Sequence, residues 1–108
     1  MGGFVMQAIA NNDGFVLMAP DRLISSTSGS FRGVALEHIE GLGTEARVLV
    51  IDLSQTVAID ASGLGMLVFI QKRAKERGLS TNLRHAPERV RNLLKLTMLE
   101  FLFEFTNE

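Results

Sequence analysis

The chain has 108 residues, with 11 basic against 12 acidic side chains and a formal charge of −1; this suits one domain spanning 1–108 and supplies no basic excess for tracking a nucleic-acid backbone. It has no cysteine, which excludes disulfides, thiolate zinc sites and thiol nucleophiles and leaves a 46% hydrophobic composition to stabilise the fold through its core. The longest weakly charged stretch, Val57 to Ile70, is broken by Asp60 and falls short of the ~20 apolar residues of a membrane span, and residues 1–12 lack the basic start and apolar run of a secretory signal.

Phe4–Ala10 and Phe15–Ala19 are short apolar runs separated by Asn11-Asn12-Asp13-Gly14, which reads as a β-hairpin because Asn, Asp and Gly accept the positive φ of tight turns. Pro20 ends the second strand. Ser25–Ser30 is polar and can cap a helix, after which Phe31, Val34, Ala35, His38, Ile39 and Leu42 follow at helical spacing. Gly41 and Gly43 are expected to close that helix in the left-handed conformation. Val48-Leu49-Val50-Ile51 is a β-branched run of the kind buried in parallel sheets. A helix from Gly63 to about Arg77 ends at Gly78, a weaker strand covers Leu79–His85, and Pro87 suits the first turn of a third helix with Val90, Leu93, Leu94 and Thr97 on one face. Phe101, Phe103 and Phe105 alternate with Leu102 and Glu104, which predicts a last strand with three rings on one face. The order ββαβαβαβ implies an α/β fold: a mixed sheet with helices packed on it through right-handed crossovers.

The informative segment is Asp60-Ala61-Ser62-Gly63-Leu64-Gly65 at the start of the second helix. At about 100° per residue, Gly63, Leu67, Ile70 and Ala74 form the core stripe, while Ser62, Met66, Phe69 and Arg73 repeat the spacing on another face with Gly65, Lys72 and Glu76. Two large apolar side chains below a serine on a half-solvated face suggest a docking surface. Chemistry alone favours the plainer reading, in which Asp60 or Ser62 is an N-cap and Met66 and Phe69 pack on a neighbouring helix.

The strand Val48–Ile51, the motif Asp60-Ala61-Ser62-Gly63-Leu64-Gly65 and the order of elements over most of the chain resemble the STAS domain family, in its anti-sigma factor antagonist branch. The resemblance implies that Ser62 is the acceptor for a serine kinase that doubles as an anti-sigma factor; the second serine that family members often carry just before it is Ala61 here. Two departures stand out. The family's Gly-x-Leu-Asp after the second strand corresponds to Asp21-Arg22-Leu23-Ile24, so Ile24 replaces an acid near the phosphoacceptor, with Ser25 or Asp21 as candidate substitutes. Members often end in a further helix, whereas this sequence stops at Glu108.

A phosphate on Ser62 would add about −1.5 to −2 charges at a helix N-terminus, where unpaired N–H groups and the dipole accept an anion. The change therefore acts outward, on a bound partner. The resemblance implies a small cytoplasmic partner-switching regulator without enzymatic activity or cofactor, binding a serine kinase anti-sigma factor through Asp60, Gly63, Leu64, Met66 and Phe69 and the loop Leu23, Ile24, Ser25 and Ser26. A PP2C-like phosphatase would reset it, and no direct nucleic-acid partner is expected.

Other readings use the same residues. The fold also serves as a subunit of stress-signalling or lipid-transport assemblies without phosphorylation. A small serine hydrolase would need His85 within reach of Ser62 and an oxyanion hole, and Ala61 and Gly63 flank the serine without forming a Gly-x-Ser-x-Gly elbow. A phosphorelay receiver would use Asp52, yet the acidic pair and the late lysine it requires are missing. Gly63-Leu64-Gly65 and Gly41-Leu42-Gly43 are too incomplete for a dinucleotide loop.

Overall fold

The computed structural model describes residues 14–42 and 47–106. The expected first strand Phe4–Ala10, the turn at Asn11–Asp13, and Gly43 lie outside the described residues. The elements in order are β1 (Gly14–Met18), β2 (Arg22–Leu23), α1 (Ser25–Glu40), β3 (Val48–Asp52), β4 (Ala58–Ile59), α2 (Ala61–Glu76), β5 (Ser80–Arg84), α3 (Glu88–Leu96), a 3-10 turn (Glu100–Leu102) and β6 (Glu104–Thr106).

The main sheet runs β1-β3-β5-β6 with every described pairing parallel, and β2 pairs with β4 in a separate parallel ribbon. The β-branched run Val48–Ile51 sits between β1 and β5, as its composition requires. A monotonic strand order with right-handed crossovers puts all three helices on one face. There α1 packs on α2 and α2 on α3. Leu17, Leu49, Ile51 and Leu83 from the strands meet Phe31, Ala35 and Ile39 from α1, Leu67, Ile70 and Ala74 from α2, and Val90 and Leu94 from α3. The predicted core stripe of α2 is thus the one observed.

Four local expectations are corrected. First, α1 begins at Ser25, so the stretch Ser25–Ser30 is helix rather than a preceding cap. The N-cap is Ile24, whose own N–H donates to Thr27 Oγ1 at 3.1 Å. Second, Gly41 closes α1 at φ −86°, in the right-handed region; among the described residues the left-handed glycine is Gly78 after α2, at φ +79°. Third, Pro87 is the N-cap of α3, one residue before its first turn, and Thr97 is exposed at the other end with its hydroxyl donating to Leu93 O at 2.8 Å.

The fourth concerns the phenylalanines. Met98 takes φ +60° after α3, and Leu99 N–H then donates to Leu94 O, so the chain turns back toward the sheet edge through Glu100–Leu102. Phe101 is consumed in that turn and is 80% exposed, whereas Phe103 is buried. Phe105, in the short β6, is half-buried under the Arg91 guanidinium, 4.5 Å from the ring centroid. The three rings do not share a face.

Candidate functional site

The site forms where two helices start side by side. Strands β2 and β4 are too short to show periodicity, yet their pairing (Arg22 with Ala58, Leu23 with Ile59) brings the peptide before α1 beside the peptide before α2. Asp60 N–H donates to Leu23 O at 3.3 Å. The first turn of α2 then lies directly on this strand: a β-carbon at Gly63 would stand 1.9 Å from the Leu23 carbonyl oxygen. Glycine is required there by close approach of backbone to backbone.

Asp60 caps both helices. Its Oδ1 accepts the Gly63 N–H at 2.9 Å, the ordinary N-cap of α2, and its Oδ2 accepts the Ser25 N–H at 3.1 Å, in the first turn of α1. Each helix start leaves N–H groups without intrahelical partners, and one carboxylate satisfies donors of both. The Gly63 N–H outweighs the desolvation that pushes the Asp60 carboxyl up and, with the Ser25 and Ser62 N–H groups, holds it below the usual carboxylate range. The α1 donors that Ile24 cannot serve are taken by Asp60 and by Thr27 Oγ1, while Asp21 contributes its backbone carbonyl, which accepts from Val57 and Ala58 N–H.

Ser62 occupies the second position of α2. It is exposed, and its hydroxyl makes no hydrogen bond among the described residues. The cap is therefore Asp60, and the serine side chain is left to solvent beside two positive helix ends and one carboxylate. Ser25 and Ser26 are exposed next to it. Further along the same face come Gly65, with open space around it, then Met66, half-buried against the core, and Phe69, 39% exposed. The Arg32 guanidinium of α1 lies 5.7 Å from the Phe69 ring centroid, a residue that sequence reasoning missed because only the packing of α1 on α2 makes them neighbours. At the far end of the same helix pair, Glu40 joins Arg73 and Arg77.

Not every residue singled out from sequence reaches this surface. Leu23 and Leu64 point into the core and Gly63 is buried under Leu23, so these three form the frame of the site and offer no side chain to a partner. Ile24 is half-buried. The exposed set is Ser25, Ser26, Ser62, Gly65 and Phe69, with Met66 and Arg32 at its edge.

The other candidates lie elsewhere. Asp52, at the end of β3, is buried; desolvation pushes its carboxyl up, but hydrogen bonds from Ser54 and the Arg84 guanidinium, with Nε at 2.7 Å, more than offset this and hold it low. It is committed to an ion pair. His85 is exposed at φ +56°, and no hydrogen bond joins it to Ser62 among the described residues. His38 Nδ1 lies 3.0 Å from Val34 O on α1. Among the described residues no cluster of three or more His, Asp or Glu could hold a metal ion, and no helix is long and apolar enough to cross a membrane.

Comparison with known proteins adds a family and a fold. The sequence profile of the family described as Mlab, STAS domain matches residues 15–104. An anti-sigma-factor antagonist (STAS) domain protein from Planctomyces limnophilus superposes with a TM-score of 0.80 at 19% identity, over 94% of this chain and 89% of that one. A candidate anti-sigma factor antagonist from Thermotoga maritima gives 0.73 at 22% identity, over 86% and 80%. The phosphorylated form of SpoIIAA, a Bacillus cell fate determinant, gives 0.72 at 14% identity, over 98% and 93%. At these identities the likeness is one of fold.

Proposed function

The chain belongs to the STAS domain family, and on that premise we propose that residues 1–108 act as one domain, a non-enzymatic cytoplasmic anti-sigma factor antagonist switched by phosphorylation of Ser62. Unphosphorylated, it binds a serine kinase anti-sigma factor through Ser62, Met66, Phe69 and the Ser25–Ser26 corner. It thereby frees the transcription factor that the kinase restrains, and a PP2C-like phosphatase restores the binding form. No cofactor takes part. The observation that carries this reading is the free, exposed Ser62 hydroxyl at the start of α2, beside a half-buried methionine and a half-exposed phenylalanine.

The energetics follow from charge. A neutral hydroxyl enters an interface at little cost, whereas a phosphate of about −1.5 to −2 charges must be desolvated or paired. Effective burial of an unpaired ion costs several kcal/mol, and about 2.8 kcal/mol already weakens binding about 100-fold. The dianion gains from the N-terminus of α2 but stands beside the Asp60 carboxylate, so it is held outward, toward the partner. The domain itself keeps its fold.

The test is mass spectrometry of the protein from its own cells, with and without their serine kinases, on the peptide containing Ser62, together with partner affinity of two variants. Ser62→Ala should bind constitutively and Ser62→Glu should bind at least about tenfold more weakly; equal affinities would refute the switch. One observation favours a second reading. Ile24 stands where the family's acid would lie near the serine, and a STAS subunit of a stress-signalling or lipid-transport assembly needs no phosphoacceptor. That reading expects an unmodified Ser62 peptide and equal binding by both variants.

A further inference from the structure

Two side-chain stripes, one on α1 and one on α2, meet on the outside of the domain. On α1 the stripe is Ser25, Gly29, Arg32, Leu36 and Glu40, at helical spacing; on α2 it is Ser62, Met66, Phe69 and Arg73. Contacts along their length fix how they align. The Ser25 N–H meets the Asp60 carboxylate where both helices start, the Arg32 guanidinium lies 5.7 Å from the Phe69 ring centroid, and Glu40 joins Arg73 at the far end. The helices therefore run side by side in the same direction, and the stripes border a straight seam that leads away from Ser62.

The charges along this seam are settled except at its middle. The Asp60 carboxylate accepts N–H groups from both helix starts, and Glu40 and Glu76 pair with Arg73 and Arg77. Arg32 is exposed, and its side chain makes no ion pair or hydrogen bond among the described residues. The Phe69 ring holds the cation in place and leaves its five N–H donors to solvent. Lys72, exposed one turn beyond Phe69, adds charge of the same sign. Around Arg32 the seam is apolar or bare. Leu36 and Met66 are half-buried, and Gly29 and Gly65 have nothing within 4 Å of an added β-carbon. Glycine is a poor helix former, and no neighbour inside the domain requires it at either position.

We propose that Arg32 selects the partner by pairing with an aspartate or glutamate carboxylate on an amphipathic helix of that protein, seated along the seam. A straight apolar seam between two helices accepts a third by its apolar face, and the bare backbone at Gly29 and Gly65 admits it closely. An uncompensated guanidinium in the middle calls for a carboxylate, which it meets with two parallel N–H···O bonds. A nucleic-acid phosphate would match the charge but brings no apolar side chains to Leu36, Met66 and Phe69. This assignment rests on reading the face as the partner surface, and it holds whether or not Ser62 is phosphorylated.

The experiment places the photo-crosslinking residue p-benzoylphenylalanine at Gly33, exposed beside Arg32 with open space around it, in the full chain in its own cells. The crosslinked peptide, read by mass spectrometry, should carry Asp or Glu among apolar residues at helical spacing. With that partner purified, Arg32→Gln should weaken binding about tenfold or more with an unchanged far-UV spectrum, and reversing the partner's acid to arginine should restore the affinity lost by Arg32→Glu. No crosslinked protein, a crosslinked peptide without an acid, undiminished binding by Arg32→Gln, or no rescue by the reversed pair overturns the proposal. Crosslinking to a lipid or a nucleic acid in place of a protein does the same. A kinase that binds Arg32→Gln undiminished but rejects Ser62→Glu sinks this pairing and leaves the switch standing. A partner held through Arg32 and indifferent to Ser62→Glu sinks the switch and leaves the pairing.

Discussion

Replacing Gly63 by alanine adds one methyl group at the place where α2 meets β2. That carbon would stand 1.9 Å from the Leu23 carbonyl oxygen, 2.8 Å from its carbon and 3.0 Å from Ile59 Cγ1. The first two neighbours are backbone, so no side-chain rotation relieves them and the first turn of α2 must lift by about 1 Å to restore ordinary contact distances. Lifting it strains the Asp60 N–H bond to Leu23 O and the Asp60 bridge to Ser25. Overpacking costs about 1–3 kcal/mol and two weakened hydrogen bonds about 1 kcal/mol each, against at most about 1 kcal/mol gained from alanine's helix propensity. The expected net loss is about 3 kcal/mol. Gly65, two residues on with nothing within 4 Å of an added carbon, is the internal control, and Gly65→Ala should gain about 0.5–1 kcal/mol. Urea denaturation of both variants, read as midpoint shifts at unchanged slope, measures the pair. A Gly63→Ala protein as stable as the parent would refute the close approach of α2 to β2.

Three further outcomes follow from the same geometry. Phe69→Ala should cost only about 1 kcal/mol of stability, since the ring is 39% exposed and its contact with Arg32 contributes about 0.5–1 kcal/mol, whereas truncating the fully buried Phe31 should cost about 3–5 kcal/mol; urea midpoints separate the two. Asp60→Asn keeps a single oxygen to serve two helices and should lose about 1 kcal/mol, with faster amide exchange at Ser25 or Gly63, while Asp60→Ala should lose about 2 kcal/mol. Asp52 has a folded pKa below its unfolded one, so the stability it contributes is complete above about pH 4 and is lost as pH falls through the folded value. Arg84→Ala removes the cation from that carboxylate and leaves it the Ser54 hydrogen bonds: its pKa should rise in an NMR titration, and stability at neutral pH should fall by about 1–3 kcal/mol.

The parts of this protein legible in its sequence are those where one element carries its own signal. Four consecutive β-branched or leucine positions at Val48–Ile51 mark a strand covered on both sides wherever it sits, and the Gly63–Leu67–Ile70–Ala74 stripe marks the buried face of a helix whatever it packs on. Ser62, Met66 and Phe69 share the adjacent face for the same reason, since helical periodicity is a local property of the backbone. Tertiary structure decided what depends on groups brought from elsewhere in the chain. Ile24 can begin a helix because the Asp60 carboxylate, 35 residues beyond Ser25, accepts the Ser25 N–H, and no window around Ile24 contains that information. Leu23 and Leu64 look available beside the motif until the β2–β4 pairing turns them inward. The alternating phenylalanines are a sound strand pattern in isolation, but the return from α3 to the sheet edge needs a turn of its own and takes Phe101 out of the ladder. Short-range periodicity is set by backbone geometry and survives without context; caps, close approaches and chain reversals are set by whichever distant groups the packing brings near.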